Sequence, residues 1–304
     1  MSKAPYLIVI GTVAIDELST PFGAQRTVFG GSASFFSYAA SFFTKVGVVA
    51  VVGKDFPDEY RKVLEEREID LSHLEVLPGK TFHWKGKYES DMNSAITLQT
   101  DLNVLLDFKP KVAYEKMPEF VFLANVDPDL QLAVLDQVHG SSLKFVACDT
   151  MNFWIQNKRD AVSKVLSRVH AVFMNDGEAR QLTGEVNLIK AAQQIHNMGP
   201  EYVIIKKGEH GALLYTHEGI SIHPAYPLDT VYDPTGAGDS FAGGVMGYLA
   251  AARKVNLKTM KTAIAYGTIV ASFTVEKFGL ERLREIKRDD FDKRLAILKK
   301  ICSI

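Results

Sequence analysis

Short, uninterrupted apolar runs recur along the chain, and they limit its fold more than any other feature. They are YLIVIG (Tyr6–Gly11), VGVVAVVG (Val46–Gly53), FVFLA (Phe120–Ala124), KFVACD (Lys144–Asp149), AVFMN (Ala171–Asn175) and YVIIK (Tyr202–Lys206). A strand with one wet face alternates apolar and polar residues. Runs without that alternation suit strands buried on both faces, as in parallel sheets. Between them the apolar spacing predicts helices over Ser32–Phe43, Pro57–Arg67, Leu130–Val138, Asp160–Val169 and Leu188–Met198, with Lys258–Val275 and Asp289–Ile301 closing the chain. Such alternation implies right-handed βαβ units. The expected fold class is α/β: a doubly wound, mostly parallel, Rossmann-type sheet.

Two regions break the pattern. Ala14–Phe29 and Thr81–Leu106 read as strands with polar alternation and no crossover helix beside them. In FHWKGKY, Phe82, Trp84, Gly86 and Tyr88 fall on one face and His83, Lys85 and Lys87 on the other, which marks a one-sided strand. These regions are expected to form a small antiparallel β lid over 14–29 and 81–106, projecting from a main body of 1–13, 30–80 and 107–304. An edge hairpin on the main sheet is the alternative.

Composition removes several function classes. A chain of 304 residues, 47% hydrophobic, buries a core without disulfide or metal staples. Thirty-five basic residues against 36 acidic ones, a net charge of −1, argue against a nucleic-acid partner and against a polybasic membrane anchor. No apolar run reaches the ~18 residues of a membrane span. The N-terminal apolar stretch is β-branched and ends at Asp16 and Glu17, so it reads as a first strand rather than a signal peptide. A cytoplasmic location follows as the expectation. Cys148 and Cys302, in or beside apolar runs, are expected as buried, reduced thiols. The eight histidines show no HExxH spacing.

Chemistry concentrates in Asp233–Gly244, DPTGAGDSFAGG. Gly236, Ala237 and Gly238 let a ligand approach the backbone closely. A helix is expected from Ser240 to Ala252, which makes the loop an anion site at a helix N-terminus. Asp239 stands in that first turn, where it is a helix cap or a reacting carboxylate. There is no GxxxxGK[ST], and no GxGxxG follows a strand, so a P-loop enzyme and a nicotinamide-dependent oxidoreductase are both disfavoured.

DPTGAGDSFAGG resembles the C-terminal signature of the ribokinase-like (PfkB) carbohydrate kinase family. Other elements follow in that family's order: GTVAID with Asp16, FGGSASF with Gly30 and Gly31, NDGEA at Asn175–Ala179, and KKGEHGALLY at Lys206–Tyr215. The resemblance spans residues ~8–280. It implies a doubly wound sheet with a β lid, and transfer of the γ-phosphoryl of ATP to a hydroxyl of a sugar or nucleoside with Mg²⁺. By resemblance, Asp239 is the base and the N–H groups of Gly236, Ala237 and Gly238 form an anion hole. Asp16 anchors substrate hydroxyls, Gly30 and Gly31 admit the substrate, and Asn125 in FLANVDP adds a polar contact. Lys206, Gly208 and Thr268 lie toward the nucleotide. Asn175 and Glu178 either organise the nucleotide and, through water, Mg²⁺, or close a reciprocal helix cap. Asp149 and Asn152 are expected to support the metal shell, and Asp233 a monovalent cation.

One position departs from the family. Four residues after Gly31, where relatives carry a substrate-binding asparagine, stands Phe35. With Phe82 and Trp84 it could wall the substrate site by stacking on a sugar face or a nucleobase, or serve only as core. The departure raises an alternative function, a catalytically silent sugar- or nucleoside-binding regulatory protein of the same fold. The exposed one-sided lid sheet is expected to find a second copy of the chain, forming a homodimer.

Overall fold

The computed structural model describes residues 5–89, 92 and 95–302. Residues 1–4, 303 and 304 of the expected main body and 90, 91, 93 and 94 of the expected lid lie outside the described residues.

Nine strands form one sheet in the spatial order Gly219–His223, Ala212–Thr216, Tyr202–Lys206, Ala171–Asn175, Phe145–Asp149, Phe120–Leu123, Leu7–Ile10, Val46–Gly53 and Asp70–Leu77. Every pairing from Tyr202–Lys206 through to Asp70–Leu77 is parallel. The two strands at the other edge run antiparallel. Leu7–Ile10 shows why the apolar runs are unbroken. Leu7 and Val9 enter one core with Phe36, Phe122 and Phe173, while Ile8 and Ile10 enter the opposite core with Val121, Leu123 and Val172. The sequence did not single out Asp70–Leu77 or Gly219–His223. Both are edge strands, and their exposed positions interrupt the apolar run that marks the buried ones.

The second sheet has four strands, in the order Gly23–Gly30, Ala14–Thr20, Phe82–Tyr88, Ala95–Asp101. Its outer pairs are antiparallel, but Ala14–Ser19 and Phe82–Lys87 run parallel. The central pair is parallel because more than fifty residues of the main body separate the two strands, so no tight hairpin turn reverses the direction.

The helix Ala237–Ala252 lies between Ser32–Ala40 and Leu257–Thr274. Its small residues are the means of that fit. A Cβ at Gly243 would lie 2.4 Å from the Phe36 carbonyl oxygen, and one at Gly244 would lie 2.9 Å from Gly267 Cα. The helix begins three residues earlier than the apolar pattern predicts, with Asp239 in its first turn as expected. Cys148 is buried as expected, whereas Cys302 is exposed, because the last helix turns that end of its apolar stripe to solvent.

Candidate active site

The carboxyl ends of neighbouring parallel strands are where open α/β sheets bind ligands. Here they deliver Gly11, Asn125, Asp149, Asn175 and Lys206 to one edge. Asn175 and Lys206 are register partners. The loop before helix Ala237–Ala252 completes the group.

Gly236 holds φ at 72°, a left-handed turn that starts the helix. The ring of Phe35 lies against it, so that a Cβ there would come 2.3 Å from Phe35 Cγ. Phe35, expected at the substrate, is 1% exposed and supports the loop from beneath. The Ala237 N–H donates to the Pro234 carbonyl at 3.2 Å, closing a tight turn. The expected hole of three amides is therefore narrowed. Among the described residues, the N–H groups of Gly236 and Gly238 meet no backbone or side-chain acceptor. The loop is anchored by Asp233, whose Oδ1 accepts the Thr235 N–H and whose Oδ2 accepts the Gly279 N–H, each at 2.9 Å. Each oxygen of Asp233, the residue expected at a monovalent cation, thus accepts one backbone N–H.

Lys206 reaches this loop from the sheet. A Cβ on Gly238 would lie 2.8 Å from its Nζ. Its ammonium acts on the charges of Asp149, Glu178 and Asp239 together. Burial raises the pKa of all three carboxyls, and Lys206 opposes that rise in each. A helix N-terminus by itself would lower the Asp239 pKa. The direction is the opposite because the carboxylate loses its water. Asp149 is buried, and its Oδ1 has no hydrogen-bond partner among the described residues.

Asn175 and Glu178 cap each other. Asn175 N–H donates to Glu178 Oε2 at 2.7 Å, and Glu178 N–H to Asn175 Oδ1 at 2.8 Å. The cap holds the Glu178 carboxyl beside Lys206. Gly208 opens the short turn Gly208–His210 directly after the Lys206 strand. Thr268 is buried on Leu257–Thr274, next to the crossing with the loop helix. Asn152 turns its Oδ1 back to the Phe153 N–H at 2.9 Å and is exposed.

Asp16 stands on the second sheet, 4% exposed. Gly31 N–H bonds to it, yet burial, aided by the charges of Asp233 and Asp239, pushes its pKa up to about 8. Gly30 is required by this carboxylate, since a Cβ there would fall 1.8 Å from Asp16 Oδ2. Trp84 is the parallel-register partner of Asp16, which places both on one face of the sheet. Its indole lies flat over Gly86, 2.1 Å from where a Cβ would be, and its Nε1–H donates to Thr97 Oγ1 at 3.2 Å.

Several contacts in this region gave no motif signal. Ser32 N–H donates to Thr12 Oγ1 at 3.0 Å, and Ser32 Oγ donates to the Asn125 carbonyl at 3.2 Å, tying three strand and helix ends together. The Asn125 side-chain oxygen accepts Trp154 Nε1–H at 2.9 Å, and its amide donates to Met151 Sδ at 3.2 Å. Tyr88 of the second sheet accepts a hydrogen bond from Thr235 Oγ1 of the loop at 3.2 Å.

The pfkB family carbohydrate kinases match this chain over residues 9–286, which takes in every element just described. The chain belongs to that family. It is 32% identical over 244 residues to the cytidine kinase of Thermococcus kodakarensis, covering 79% of this chain and 87% of that protein. A nucleoside kinase of Methanothermobacter thermautotrophicus is 26% identical, covering 78% of this chain and 74% of its own. The crystal structure of Methanocaldococcus jannaschii nucleoside kinase superposes with a TM-score of 0.78 at 21% identity, over 96% of this chain and 98% of that one. Burkholderia thailandensis nucleoside kinase, solved with inosine, gives 0.78 at 18% identity, with the same two coverages of 96% and 98%. The fold is ribokinase-like. The protein is a phosphotransferase of this family, acting from ATP on a hydroxyl of a sugar or nucleoside.

Proposed function

We propose that the acceptor is a nucleoside, its ribose held by Asp16 and its base laid on Trp84 beneath the second sheet acting as a lid. The observation that carries this reading is the register pairing of Asp16 with Trp84 on one sheet face, with the indole pressed flat on Gly86. A carboxyl group selects hydroxyls, and a flat indole offers stacking area that a bare sugar cannot fill on a nucleobase scale. The cytidine kinase and nucleoside kinase relatives support the same class.

The chain's own groups account for the transfer. Asp239, whose pKa burial raises, takes the proton from the attacking hydroxyl as the new O–P bond forms and the bond from the γ-phosphorus to the departing ADP oxygen breaks. The free N–H groups of Gly236 and Gly238 and the Lys206 ammonium receive charge spread over the transferring phosphoryl oxygens. Phe35 backs the loop, so that Gly236 keeps its turn under load. Gly208 and Thr268 lie toward the nucleotide.

Mg²⁺ fits the residues present. Asp149 offers a buried, unpartnered oxygen, Glu178 lies near it, and no group of three metal-type side chains occurs among the described residues. That suits an ion kept mostly by water and phosphate oxygens. Asp149 and Glu178, through water, would hold it, and it would neutralise phosphate charge. Asp233 would serve a monovalent cation with the lone pairs that its two backbone amides leave free. The enzyme draws on cytoplasmic ATP, and a second copy of the chain pairs with it through the lid sheet.

The test is an ADP-release screen with ATP and Mg²⁺ against cytidine, inosine, adenosine, ribose and fructose. Turnover on at least one nucleoside, well above that on the free sugars, is expected. Preference for a free sugar would overturn the nucleoside assignment. On the accepted nucleoside, Asp239→Asn should lower kcat about 10²–10⁴-fold, the ordinary contribution of a general base. A change within a few-fold would remove Asp239 from that role.

A further inference from the structure

Asp16 and Trp84 sit on the second sheet and Lys206 on the first, and a hydrogen bond ties the second sheet to the loop before helix Ala237–Ala252. Tyr88 ends the strand Phe82–Tyr88 that carries Trp84, and it lies on the same face of that strand. Its hydroxyl accepts from Thr235 Oγ1 at 3.2 Å, across 147 residues of sequence. Tyr88 is buried and Thr235 half-buried. Burial raises the pKa of the Tyr88 phenol, so it stays a neutral hydroxyl. Thr235 is itself fixed, because its N–H donates to Asp233 Oδ1, and the other oxygen of Asp233 is held by Gly279. Gly236 follows immediately and turns the chain into the helix. A displacement of the Trp84 strand thus reaches Gly236 through one side-chain bond and one peptide.

We propose that Tyr88 is a positioning residue that couples the lid to the phosphate loop, so that the Gly236 and Gly238 amides are held in transfer geometry only while the lid sheet lies closed over the acceptor. The consequence is control of wasted turnover. With the lid away, Thr235 loses its partner and the loop loses a restraint, which disfavours transfer of the phosphoryl to water; in turn, a nucleotide that orders the loop draws the lid toward it. This rests on the acceptor lying beneath the lid, as proposed above.

Five proteins test it: wild type, Tyr88→Phe, Thr235→Val, the double variant, and Thr235→Ser as the conservative control. Tyr88→Phe keeps the ring and its packing and removes only the hydroxyl. It should lower kcat for nucleoside phosphorylation about three- to ten-fold, the worth of one ordinary hydrogen bond, with KM for ATP unchanged. The double variant should be no slower than Thr235→Val alone, because the two groups act through each other. Thr235→Ser should retain wild-type kcat. The fraction of ADP released without phosphorylated nucleoside should rise in Tyr88→Phe. Additive losses in the double variant, or an unchanged kcat in Tyr88→Phe, would overturn the proposal. A second arm needs no acceptor. Hydrogen exchange of the Phe82–Tyr88 amides should slow on adding a non-hydrolysable ATP analogue to wild type, and should not slow in Tyr88→Phe. Equal slowing in both proteins, or none in wild type, would overturn the coupling even if no nucleoside is turned over. Failure of the nucleoside reading would instead show only in the acceptor screen.

Discussion

A methyl group at Gly30 would fall 1.8 Å from Asp16 Oδ2, so the glycine and the carboxylate are one feature rather than two. Gly30→Ala is expected to displace Asp16 and raise KM for the acceptor at least about ten-fold, with KM for ATP unchanged; steady-state kinetics with each substrate varied decides it. The factor corresponds to about 1.4 kcal/mol, one ordinary hydrogen bond lost as Asp16 is displaced. Asp16 also predicts a pH dependence. Its pKa rises on folding from 3.8 to about 8, so the folded protein binds the proton more tightly than the unfolded chain. This group's contribution is fully favourable below pH 4, and stability then falls as pH rises toward 8, by up to about 1.4 kcal/mol per pH unit. Asp16→Asn should flatten that slope in urea unfolding measured between pH 5 and 8. An identical slope in both proteins would contradict the burial of this carboxyl. Asp16, Gly30 and Asp239 were legible as motif letters. The raised pKa values were not, because burial is a property of neighbours brought from other elements.

At the scale of elements, the glycines of SFAGGVMGYL record distances between helices. Gly244 and Gly267 meet where two helices cross, with 2.9 Å between a Cβ on the first and the Cα of the second. Alanine is the better helix former by roughly 1 kcal/mol. Gly244→Ala is nonetheless expected to destabilise by about 1–2 kcal/mol, because backbone must yield to the added methyl. Chemical denaturation gives the sign directly, and a stabilised variant would contradict the close crossing. The reciprocal cap of Asn175 and Glu178 was legible as a spacing of three residues, since both ends of a capping box lie in one segment. The Ala237 N–H bond to Pro234 was not, because a turn's hydrogen bond depends on backbone angles that the letters PTGAG allow without dictating.

For the whole molecule, the lid sheet exposes an edge. Every residue from Ala95 to Thr100 is exposed, Ile96 at 44% and Leu98 at 56% among them. An unpaired apolar edge of this kind favours strand pairing with a second copy. Sedimentation at micromolar concentration is expected to give a dimer, and Leu98→Asp a monomer; a monomeric wild type would discard the interface. The two buried faces of strands such as Leu7–Ile10 were written in the apolar runs, since burial on both sides leaves no place for polar letters, whereas the order of the nine strands was not. The strand ends that carry Asn125, Asp149, Asn175 and Lys206 were legible for the same reason. Other features were settled only in three dimensions: the parallel pairing of Ala14–Ser19 with Phe82–Lys87, the ring of Phe35 under Gly236, the Lys206 ammonium among three carboxyls, and the bond from Thr235 to Tyr88. Each joins segments tens of residues apart, and no local spacing records which distant side chain will fill a given gap. Periodicity reports how a segment meets water, whereas chemistry between segments is decided by how they pack.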